Sequence, residues 1–98
     1  GAVMMSMLEK VARHFSADGM AVDMDTDYGT ELHIVDPWDD RRGIIIERYG
    51  AEIEVSLVQG GHYQISKTVR APSARAVIKA VRDIAAAENY TVSYSNFS

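Results

Sequence analysis

The sequence predicts an α+β fold: an antiparallel meander of about five strands flanked by an N-terminal and a C-terminal helix. Three observations carry this expectation. Apolar residues recur at helical spacing near both ends of the chain. Between those ends, short segments alternate apolar and polar residues with period two. The alternating segments are separated by brief turns rich in Gly and Asp.

Taken in order, Met4, Met7, Leu8, Val11, Ala12 and Phe15 share one side of a helix over about residues 3–16. Glu9, Lys10 and Arg13 fall on the other side, and Asp18-Gly19 is a good helix stop. Met20, Val22 and Met24 then alternate with Ala21, Asp23 and Asp25, a half-buried strand. Asp27-Tyr28-Gly29 is turn chemistry, and Glu31–Val35 reads as the returning strand. Asp36–Gly43 is the longest polar loop. Ile44-Ile45-Ile46 opens a third strand, whose continuous apolar run predicts a central position buried on both faces.

Ile53, Val55 and Leu57 alternate with Glu52, Glu54 and Ser56 in a fourth strand, and Gly60-Gly61 marks a tight hairpin turn. The alternation in the fifth strand places Tyr63, Ile65 and Val69 on one side and His62, Gln64, Ser66 and Thr68 on the other. Pro72-Ser73 opens the last helix with Ser73 as its N-cap. Val77, Ile78, Val81, Ile84 and Ala85 form its buried stripe, and Asn89 is its expected C-cap. Thr91–Tyr94 reads as a short edge strand or a tail ordered by contact. Sequential strands joined by short turns argue for a meander, with both amphipathic helices on one face. The other face, carrying Asp23, Asp25, Glu52, Glu54, His62 and Gln64, is expected to be wet. The helix–meander–helix order is loosely similar to secretion-chaperone-like and other small adaptor folds, an analogy of element order alone.

With 98 residues and 47% hydrophobic content, the chain reads as one domain over 1–98, with residues 1–3 resembling a cloning remnant. The absence of cysteine excludes disulfides and thiolate metal sites and fits a cytoplasmic location. No apolar run approaches the roughly 20 residues needed to cross a bilayer, so no membrane partner is expected. The opening residues lack the features of a signal peptide.

Charge is segregated. Residues 17–66 carry eleven acidic side chains against three basic ones, whereas 67–98 carry five basic (Lys67, Arg70, Arg75, Lys79, Arg82) against two acidic. Arg75, Lys79 and Arg82 are spaced i, i+4, i+7 and so share a helix face. This stripe suits an acidic protein surface or nucleic-acid phosphates; the plain alternative is a solvated helix face. A net charge of −4 and the lack of interleaved aromatics weaken the nucleic-acid reading.

Asp36-Pro37-Trp38-Asp39-Asp40-Arg41-Arg42 is the densest polar cluster. Trp38 and the arginines are typical interface anchors, so Trp38, Asp39, Asp40, Arg41 and Arg42 are candidate protein-binding residues. The alternative folds Trp38 onto the sheet edge while the charges pair with one another. Asp23–Gly29 resembles the start of a calcium loop, but glycine falls at the seventh position and isoleucine at the twelfth, which fits a strand instead. His14, His33 and His62 match no metal spacing, and neither a Gly-x-Ser-x-Gly nor a phosphate loop is present.

No catalytic residue, metal or cofactor is therefore expected. The leading expectation is a non-enzymatic protein-binding module of adaptor, inhibitor or chaperone-like type, forming a homodimer through the strand-five edge or the aromatics Tyr90, Tyr94 and Phe97. The alternative is a nucleic-acid-associated regulator using the basic stripe. An enzyme would need a pocket near 36–42 with His33 or His62 as base.

Overall fold

The computed structural model describes residues 6–24, 31–35 and 41–87. Helix α1 (Met7–Ala17) leads into strands β1 (Ala21–Met24), β2 (Glu31–Val35), β3 (Arg42–Tyr49), β4 (Glu52–Gln59) and β5 (His62–Val69), followed by helix α2 (Ala74–Ala87). The sheet order is β1-β2-β3-β4-β5, with every neighbouring pair antiparallel. The predicted α+β meander between two helices is therefore the fold. Thr91–Tyr94, Asn89 and the residues before Ser6 lie outside the described residues.

Local signals fix the helix starts. Ser6 adopts an extended backbone and its Oγ accepts the Glu9 amide N–H at 3.2 Å. Ser6-Met7-Leu8-Glu9 matches the Ser-x-x-Glu capping pattern, so α1 opens later than its apolar spacing implied. At α2 the predicted cap holds: Ser73 Oγ accepts the Ala76 N–H at 3.1 Å. The β4–β5 turn needs Gly60 and Gly61, whose φ angles are +59° and +83°. A left-handed conformation at both turn residues is strained for any side chain, and it matches the twist of the flanking strands.

Register sorts the sheet into rows, because directly opposite residues point to the same face. One face reads Val22–Ile34–Ile44–Leu57–Ile65 and Met24–Leu32–Ile46–Val55–Lys67 across the five strands. Helix α1 packs over β1 and β2 on this face, α2 packs over β4 and β5, and the two helices touch. The core is Leu32, Ile34, Ile44, Ile46, Val55 and Leu57 from these rows with Met20 and Ile53, packed against Leu8, Val11 and Phe15 of α1 and Val77, Ala80, Val81, Ile84 and Ala85 of α2, while Lys67 is exposed at the edge end of its row. Burying one such Leu, Ile or Phe side chain contributes about 1.5–3 kcal/mol.

The structure corrects two facing assignments in β5. The β4–β5 register shifts between Leu57 and Val58, so Leu57 pairs with Ile65 but Val58 pairs with Tyr63. Gln64 is the extra residue of this bulge. Tyr63 consequently points away from Ile65, onto the face that no helix among the described residues covers, and His62 pairs with Gln59 rather than lying among the outward residues. Central β3 also differs in degree from its expectation. Ile44 and Ile46 are fully buried under the helices, whereas Ile45 on the opposite face is only half-buried.

The open sheet face as a candidate functional site

Among the described residues, no helix covers the second face of the sheet, and its rows change character along the strands. The first reads Ala21–Val35–Gly43–Val58–Tyr63 and is apolar. The second reads Asp23–His33–Ile45–Ser56–Ser66, with the Ser56 and Ser66 hydroxyls 2.8 Å apart. The third reads Glu31–Glu47–Glu54–Thr68, three carboxylates directly opposite one another on successive strands. Tyr49 and Glu52 follow beside the β3–β4 turn. Like charges in opposed positions destabilise a sheet, so this row runs against stability.

Two tyrosines stand over the acidic row. Tyr49 is 58% exposed and Tyr63 53% exposed, yet both hydroxyls are tied to one carboxylate. Tyr49 donates to Glu47 Oε2 at 3.0 Å and Tyr63 donates to Glu47 Oε1 at 2.9 Å. Accepting from both phenols, Glu47 holds their protons on: its hydrogen bond pushes Tyr63 up to about 12 and raises Tyr49 as well. His33 Nε2–H donates to Glu31 Oε1 at 2.7 Å.

At the apolar end lies a cleft of about 120 Å3, walled by Val35, Ile45 and Val58 with His33, Arg41 and Arg42 at its rim. Its floor is Gly43, where a Cβ would sit 2.8 Å from the Ile34 carbonyl oxygen, so β2 and β3 approach too closely for a side chain. This cleft is well below the roughly 300–1,000 Å3 of sites that enclose small molecules. His33 borders it, but His62 lies on the far side of β4.

The predicted protein-binding residues divide. Arg41 is exposed and Arg42 half-buried at the start of β3, where Arg42 pairs with Gln59; Trp38, Asp39 and Asp40 lie outside the described residues. The basic stripe is partly neutralised within the chain. Lys67 Nζ and Lys79 Nζ both donate to Asp83 Oδ2, at 3.0 and 2.8 Å, and these two ammonium groups hold the Asp83 carboxyl below its usual range. Arg82 Nη2 donates to His14 Nε2 at 3.1 Å, joining α2 to α1. Arg70 and Arg75 are exposed.

Sequence reasoning missed Glu31, Glu47, Tyr49 and Tyr63. Part of the signal was available. A hairpin closed at Tyr49 and Glu52 places Glu47 opposite Glu54 by counting back two residues from each side of the turn.

Among the described residues, no helix is long and apolar enough to cross a membrane, and no group of three or more His, Cys, Asp or Glu side chains could hold a metal ion. Comparison with protein-family models, with curated proteins and with solved structures finds no match.

Proposed function

We propose that this chain is a small non-enzymatic protein-binding module, cytoplasmic in location, whose contact surface is the open face of the sheet. The observation that carries the reading is the pair of exposed tyrosines pinned by Glu47 above an acidic row. Tyrosine supplies large amphipathic contact area with little rotamer freedom to lose, and a ring already fixed by its hydroxyl loses less still. A cleft of about 120 Å3 suits one inserted side chain better than an enclosed substrate.

The internal pairing of Lys67 and Lys79 on Asp83 supports this reading over nucleic-acid binding, because two of the five stripe cations are already engaged by a carboxylate. A homodimer built on the β5 edge is opposed by two features of that strand. The bulge at Gln64 disrupts its ladder, and Lys67 places a charge on the helix-facing side of the edge. Both are devices that discourage strand addition.

Site-specific photocrosslinking tests the proposal. A photoactivatable phenylalanine analogue replaces Tyr63 in one variant and Arg75 on the α2 surface in a second. The expected result is discrete protein adducts from position 63 and none from position 75. Adducts from position 75 alone, or nucleic-acid adducts, overturn the proposal.

A further inference from the structure

We infer that the open sheet face takes a basic amphipathic α-helix from a partner protein, laid across the strands; this rests on the protein-binding reading above and names its occupant. Peptides reach a sheet either by adding a strand to an edge or by docking on a surface. Both edges here are poor templates. Strand β1 runs for four residues among those described and carries Asp23 on its open face, and β5 carries the Gln64 bulge and the inward Lys67. The face is therefore the available surface.

Its dimensions fit a helix. Rows recur every two residues, about 6.8 Å along a strand, so the apolar row and the acidic row lie about 14 Å apart. A helix with its side chains is about 10–12 Å across. One flank can therefore rest on Val35 and the exposed ring of Tyr63 while the other reaches the glutamates.

The spacing along the acidic row is more selective. Adjacent strands are about 4.8 Å apart, placing Glu31, Glu47 and Glu54 at about 0, 4.8 and 9.6 Å. On a helix rising about 1.5 Å per residue, cations at i, i+3 and i+7 fall at about 0, 4.5 and 10.5 Å. Charge sign and repeat thus match together. The chain's own α2 is a weaker candidate, since Lys79 is bound to Asp83 and Arg82 to His14.

The test uses the full chain and two synthetic peptides of about 15 residues, long enough for partial helicity. One carries lysines at i, i+3 and i+7 with leucines on the adjacent flank; its isomer has the same composition with the lysines dispersed around the helix. Calorimetric titration is expected to show binding of the first peptide only, with helicity induced on mixing. An E31Q/E54Q variant, checked for an unchanged circular dichroism spectrum, is expected to bind about tenfold more weakly, as loss of two exposed ion pairs implies.

Equal binding of both peptides overturns the helical register. Binding of neither overturns the inference, and crosslinks at position 63 would then leave the protein-binding reading standing with a different occupant. A molar mass that rises with concentration and falls back in an R75E variant identifies a second copy as the occupant and overturns the assignment to another protein.

Discussion

Replacing Glu54 by Gln should stabilise the fold, by an amount that salt controls. Glu54 lies directly opposite Glu47, with Glu31 one strand further on and Glu52 two residues away on the same face. Opposed Cβ atoms are about 4.5–5.5 Å apart, so the two carboxylates settle about 6 Å from each other. At an effective dielectric of about 60, between the values for a protein surface and for water, they repel by about 0.9 kcal/mol. Screening leaves about 0.8 kcal/mol at 0.01 M salt, about 0.4 kcal/mol at 0.15 M and about 0.1 kcal/mol at 1 M. Gln keeps the shape and removes the charge. Urea unfolding of wild type and E54Q at these three ionic strengths measures the difference directly, and thermal midpoints should rise by about 3–6 °C at the lowest salt. A variant that is less stable at low salt, or a gain that does not fade with salt, would refute the picture of mutually repelling carboxylates along this row.

Three further outcomes follow from other parts of the molecule. Tyr63, held up to about 12 by its bond to Glu47, keeps its proton in the folded state while the unfolded chain loses it near the ordinary value of 10.0. That contribution to stability is complete below pH 10 and is lost as pH rises through about 12. In near-ultraviolet titration, Y63F should lack a late-ionising phenol and E47Q should bring it back toward its ordinary value; an unchanged late component in both variants would contradict the assignment. K67V extends an apolar row to the sheet edge and should change monomer stability by no more than about 0.5 kcal/mol while producing concentration-dependent association by light scattering; an unaltered mass would show that Lys67 guards nothing. S6A removes the α1 cap and should destabilise by about 0.5–2 kcal/mol in chemical unfolding, with no change expected if the Glu9 amide finds water equally well.

The element order was legible because each element depends on signals within its own residues: helical spacing in α1 and α2, period two in β1 and β4, the Gly60-Gly61 turn and the Ser73 cap. The facing of β5 was not, because the bulge at Gln64 arises from its pairing with β4 and leaves no local mark. Periodicity therefore put Tyr63 on the same side as Ile65 and Val69, whereas it points to the open face. The acidic row was half legible. Glu47 and Glu54 are related by a two-residue turn, whereas Glu31 joins them only through a β2–β3 pairing that the length of the connection does not fix; the polar run read as a loop over Asp36–Gly43 in fact ends in β3, which begins at Arg42. Arg75, Lys79 and Arg82 lie on α2 as their spacing implies, but the partial neutralisation of these charges depends on Lys67 reaching Asp83 across 16 positions of sequence. Burial on the helix-covered face follows from hydrophobicity, while the open face combines side chains that only register brings together.

The strictly sequential strand order has a kinetic consequence. Every strand pairs with its neighbour in the chain, so the sheet assembles by closing a succession of short hairpins, each of which loses little loop entropy. The contact between α1 and α2, with Arg82 against His14, is different: it joins positions 68 residues apart. Folding is thus expected to begin in the β3–β4–β5 hairpins and to finish when the helices clasp. Substitutions at the clasp would then mainly hasten unfolding, whereas substitutions in the β3–β4–β5 hairpins would slow folding itself.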